Sequence, residues 1–137
     1  MNRIDFQELA DRHLQESKAL LGAGFPEGAY YLAGYAVECA LKACIAKRTR
    51  EHDFPGKGSN KYYSHDLEDL LGFAELTVEL ESVLPTNPAM KANWIIVKNW
   101  SEESRYEKGK TRQEADDLLA AIEDRKGGLL PWLRLRW

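Results

Sequence analysis

The stretch Ala29-Tyr30-Tyr31-Leu32-Ala33-Gly34-Tyr35-Ala36-Val37-Glu38-Cys39-Ala40-Leu41-Lys42-Ala43-Cys44-Ile45 decides the fold. Wound as a helix it is apolar nearly all round, and such a helix is packed by neighbours on most of its faces. The spacing predicts a central helix from Ala29 to about Lys47, with Pro26-Glu27 as its first turn. Its alanines and Gly34 allow close approach of other helices. Glu38 and Lys42 are the only charges inside it, four apart and therefore on one face.

On the N-terminal side, Phe6, Ala10, Leu14 and Leu21, with Leu9 and Leu20 beside them, predict a helix over about Asp5–Leu21, broken by Gly22, Gly24 and Pro26. Residues 51–63 hold His52, Pro55, Gly56, Gly58 and Asn60 and read as a polar loop. Ser64 is placed to cap a third helix, with Asp66 and Glu68 in its first turn. Leu67, Leu70, Leu71 and Ala74 form its stripe, continued by Leu76, Leu80 and Val83 beyond a kink at Gly72. Pro85 and Pro88 stop that run. Ala89–Trp100 reads as a further helix with Ala92, Ile95, Ile96 and Trp100 towards the core. Thr111 and Glu114 make a capping box for a last helix whose Ala115, Leu118, Leu119 and Ile122 face inward, ended by Gly127-Gly128. No strand alternation, internal repeat or low-complexity stretch interrupts this pattern. The expectation is all-α: an antiparallel up-and-down bundle of four to five helices, in a single domain over residues 1–137.

Composition is that of an ordinary globular chain, 44% hydrophobic and 30% charged. Nineteen Lys and Arg against 22 Asp and Glu give a formal charge of −3, so any contact with nucleic acid requires a local basic patch. The first residues are too charged for a secretory signal, and the longest apolar run is too short to span a bilayer. Cys39 and Cys44 share one helix with side chains pointing apart, which argues against a disulfide between them. No Cys/His zinc spacing is present. Reduced cysteines, a cytoplasmic location, no metal and no cofactor are the expectation.

Glu38 and Lys42 have two readings. An exposed pair is worth only about 0.3–0.5 kcal/mol; a buried one in a central helix marks either a cleft or an interface. Arg105 and Tyr106 lie in a polar turn after Trp100, the residue types that grip phosphate and stack a base, though an ordinary surface turn also contains them. His65 opens the third helix, as a surface or capping residue or as an acid/base group. His13 and His52 read as surface positions. Tyr30, Tyr31 and Tyr35 read as core or interface packing ahead of base stacking. The tail Leu129–Trp137 either covers the core or docks a partner, and the former is favoured. No phosphate loop, nucleophile elbow or paired-carboxylate spacing occurs.

The run Tyr30–Ala43, with small residues leading to Glu38 and Lys42, resembles the second helix of HEPN domains. Ser64-His65-Asp66-Leu67 followed by Leu70-Leu71 is similar to the opening of that family's third helix, and Ser104-Arg105-Tyr106 to its arginine-containing stretch. The resemblance implies a bundle that usually dimerises, in a family of metal-independent endoribonucleases and nucleotide-binding modules. Many of these act in toxin–antitoxin systems beside a small nucleotidyltransferase. In the nucleases an Arg is followed four to six residues later by a His. Here no histidine follows Arg105. The implied function is a module that binds RNA or a nucleotide at an interhelical or dimer cleft, catalytically weak or inactive. Glu38, Lys42, Arg105 and Tyr106 would bind the ligand, and His65 and Arg105 are the candidates for any catalysis. The alternatives are a metal-independent endoribonuclease with His65 as relocated acid/base, or an interaction partner of a nucleotidyltransferase.

Overall fold

A computed structural model describes residues 1–49 and 63–137. Most of the 51–63 loop, with His52, therefore lies outside the described residues. Helix α1 spans Arg3–Gly22, α2 Pro26–Lys47, α3 Leu67–Phe73, α4 Thr77–Val83, α5 Pro88–Lys98, α6 Arg112–Glu123 and α7 Leu129–Arg134. Single 3-10 turns occupy Leu84–Thr86 and Glu102–Tyr106. Among the described residues there is no strand.

The centre of the bundle is α2, in which 14 of 22 residues are buried. Its near-continuous row of alanines lets α1 lie close, and Phe6 near the start of α1 packs with Ala43 and Ala46 near the end of α2. At the other end the Ser17 hydroxyl donates to the Ala29 carbonyl at 2.6 Å. The two helices therefore run antiparallel. Leu118, Leu119 and Ile122 of α6 and the start of α3 close further sides of α2. The capping box expected at Thr111 is formed, with Glu114 N–H donating to Thr111 Oγ1 and Thr111 N–H to the Glu114 carboxylate.

Three local expectations are corrected. The cap of α3 is Asp66, whose Oδ1 accepts from Asp69 N–H at 2.9 Å, while Ser64 sits two residues back and accepts from Asp66 N–H. The kink expected at Gly72 is a full break: the chain turns through Glu75 at φ 58°, and Leu76 N–H closes onto the Leu71 carbonyl, so α3 and α4 are separate helices. On α5 the buried stripe is Met90, Trp94 and Val97, whereas Ala92, Ile95 and Ile96 face outward. Positions 90, 94 and 97 are as well spaced for a helical face, and burying the Trp94 ring removes more apolar area than the smaller side chains do. Trp100 is buried as its spacing suggested.

The tail forms α7, with Leu129, Leu130, Trp132 and Leu133 buried against the bundle. It serves as core cover. Among the described residues no helix is long and apolar enough to cross a membrane.

Candidate functional site

Tyr31, Tyr35, Glu38 and Lys42 follow one another at helical spacing and form a stripe along α2. Tyr31 and Glu38 are two turns, or about 10 Å, apart along the axis. The 3-10 turn Glu102–Tyr106 and the start of α3 both pack against this helix.

At the Glu38 end the side chain is wholly buried, and two groups converge on its carboxylate. Lys42 Nζ donates to Oε2 at 3.0 Å, and His65 Nδ1 lies 3.1 Å from both carboxylate oxygens. The other face of the His65 ring, Nε2, is 3.2 Å from Glu102 Oε2. His65 thus ties α2 to the 3-10 turn. Its side chain is 41% exposed and borders a hollow of about 220 Å³ with Asp66, Trp100, Ser101, Glu102 and Glu103.

At the Tyr31 end the aromatic rings are layered. Tyr31 stacks on Tyr35 with centroids 5.8 Å apart and on Trp100 at 6.1 Å. His13 of α1 meets Tyr35 edge-on at 4.8 Å. Burial pushes the Tyr35 hydroxyl up to about 12, with Cys39 and Glu38 adding to the shift. The layering depends on Gly34: a Cβ there would overlap the Trp100 indole ring. Trp100 Nε1 and Ser104 Oγ are buried with no hydrogen-bond partner among the described residues, an uncommon state for polar atoms.

Arg105 lies over the Tyr106 ring at 4.6 Å and is fully exposed. The Tyr106 phenol raises the Arg105 pKa, and Tyr31 adds a smaller hydrogen-bonding contribution in the same direction. Neither Arg105 nor Lys108 makes an ion pair among the described residues. Lys110, held by Glu107 and Glu114, sits over the Tyr30 ring at 4.5 Å.

A family model for the HEPN domain matches residues 5–124. The chain belongs to the HEPN family. No curated protein and no solved structure matches it. The match runs from α1 to the end of α6 and leaves α7 outside, so the HEPN part contains every residue of this site. Glu38, Lys42 and His65 are in direct contact. Arg105 and Tyr106 are joined to them through Tyr31 and the 3-10 turn. Sequence reading does not reach Glu102: it is one acidic residue in a polar stretch, and only folding sets it against His65, 37 positions earlier. Among the described residues no group of three His, Cys, Asp or Glu side chains could hold a metal ion.

Proposed function

We propose that this HEPN domain binds RNA or a nucleotide along the exposed edge of the α2 stripe, with weak or absent catalysis. The observation that carries the reading is the position of Arg105. Its guanidinium has no carboxylate partner among the described residues and lies beside the phenols of Tyr31 and Tyr106, on a stripe that leads to the buried Glu38. A cation without a carboxylate partner among the described residues, next to a π face that is 73% exposed at Tyr106, suits a phosphate and the base attached to it. In this reading Arg105 holds phosphate and Tyr106 stacks. Lys42 neutralises Glu38, which in turn fixes His65 at the rim. The whole chain, residues 1–137, acts as one unit.

Weak catalysis follows from charge. Asp66, Glu102 and Glu103 surround the hollow beside His65, and Glu38 lies behind it. These carboxylates would repel a phosphodiester from the His65 imidazole. Fluorescence anisotropy with labelled single-stranded RNA and with mononucleotides tests the binding. Arg105→Ala should weaken affinity about tenfold and lower the salt dependence, since one phosphate contact is lost. Unchanged affinity in that variant would remove Arg105 from the site.

One contact favours a second reading, a metal-independent endoribonuclease. A buried carboxylate that holds Nδ1 and leaves Nε2 facing outward is how a carboxylate orients a catalytic histidine. For His65 to act this way, Glu102 must release Nε2 when substrate binds. Assembly into a homodimer belongs to the same proposal. It is supported by the outward Ala92, Ile95 and Ile96 on α5, and light scattering of the purified protein tests it.

A further inference from the structure

A different face of the molecule, sharing no residue with the α2 stripe, carries two adjoining hollows. The first, of about 330 Å³, lies at the end of α2 and is lined by Lys47, Arg48, Arg136 and Glu79 with Leu135 at its edge. The second, of about 230 Å³, has apolar walls from Val83, Met90, Pro131 and Trp132, with Arg125 and Lys126 at its border and Leu135 again at its edge. Leu135 is 82% exposed and forms the ridge between them.

Arg136 cross-links the wall between the hollows. Arg136 donates from Nε and Nη2 to Glu79 Oε1 at 2.9 and 2.7 Å and from Nη1 to the Trp132 carbonyl at 2.8 Å. Its guanidinium lies 3.9 Å from the Trp132 ring centroid. The other cations are less committed. Arg48 pairs with Glu75, which is 73% exposed, and such surface pairs exchange readily with other anions. Lys47 has no ionic partner among the described residues. The lining of the two hollows thus gathers five cations and one carboxylate, on a chain whose formal charge is −3.

We infer that this face docks a peptide segment of a partner protein in which a bulky apolar side chain is flanked by Asp or Glu. The apolar side chain enters the second hollow beside Leu135, and the acidic neighbours lie against Lys47, Arg48, Arg125 and Lys126. Charge complementarity selects an acidic occupant and sets its encounter rate. The apolar walls select a peptide over a nucleic acid, because a phosphate backbone gains nothing from Val83, Met90 and Pro131. An apolar anchor in a pocket ringed by charge is also how a small interface concentrates its affinity.

A phage-displayed random-peptide library panned on the intact protein tests this. The enriched sequences should centre on one bulky apolar residue among acidic ones. As synthetic peptides they should lose about tenfold or more in affinity on Leu135→Asp, and similarly on Lys47→Glu combined with Arg125→Glu. These three side chains are exposed, so the variants should keep the parent's circular dichroism and melting temperature. Added salt should weaken binding. The inference is overturned by no enrichment, by enriched peptides without acidic residues, or by affinities that the variants leave unmoved. It is equally overturned if an oligouridylate, and no acidic peptide, binds in a manner sensitive to those substitutions.

Discussion

Replacing Lys42 by Met isolates the electrostatics at the heart of the bundle. Glu38 is wholly buried and the Lys42 ammonium lies 3.0 Å from its carboxylate, itself only slightly exposed. At that separation and an effective dielectric of about 20, the attraction is about 5 kcal/mol. Met keeps the apolar stem and removes the charge, leaving a carboxylate in the core with His65 as its remaining partner. Breaking a buried pair from one side typically costs about 3–5 kcal/mol, because the orphaned charge stays desolvated. For a chain of this length that corresponds to a fall in melting temperature of about 10–17 °C. The double variant Glu38→Gln/Lys42→Met removes both charges, and the amide oxygen of Gln can still accept from His65. It should be more stable than Lys42→Met alone by about 2 kcal/mol or more. Urea unfolding followed by circular dichroism measures both. A loss under about 1 kcal/mol in Lys42→Met would mean that solvent already screens the pair and that no desolvated charge is orphaned. So would a double variant less stable than the single one.

Two further predictions concern packing and burial. Gly34→Ala should lose about 1–3 kcal/mol, because the new methyl overlaps the Trp100 indole, and adding Trp100→Leu should recover part of that loss in the same urea assay. Stability should fall as pH rises through the range from about 9 to about 12, because burial pushes the Cys39 and Cys44 thiols up to about 12 from 9.0. The folded chain keeps these thiols protonated while the unfolded chain ionises them, so their contribution is intact below pH 9 and lost above it. Replacing both by Ala should flatten that slope in pH-dependent unfolding, and at pH 8 a thiol reagent should label neither cysteine until the protein unfolds.

The helical class and the central position of α2 were legible because its pattern is extreme: few sequences hold a helix apolar on every side without burying it. The start of α6 was legible for a local reason, since Thr111 and Glu114 satisfy each other within one turn, whereas its end lies at Glu123, ahead of the Gly127-Gly128 expected to stop it. The inward face of α5 was not. Ala92, Ile95 and Ile96 compete with Met90, Trp94 and Val97 for the same description, and the choice is made by what lies opposite. The break between α3 and α4 escaped because it rests on Glu75 in a left-handed conformation that glycine usually supplies. At the candidate site, Glu38 and Lys42 announce themselves as charges in an apolar run, and His65 by its place at a helix start. Their meeting, and the part of Glu102, arise from contacts between segments far apart in sequence, on which no local spacing bears.

RNA incubated in excess chelator with the parent protein, Arg105→Ala and His65→Ala, each checked for folding, separates binding from catalysis at the α2 stripe. Intact RNA is expected in every lane, with a gel shift that Arg105→Ala weakens and His65→Ala largely preserves. Cleavage by the parent protein that disappears in His65→Ala would contradict this expectation and make the histidine held by Glu38 a catalytic group. The absence of both shift and cleavage, repeated with mononucleotides, would contradict the assignment of the α2 stripe to nucleic acid.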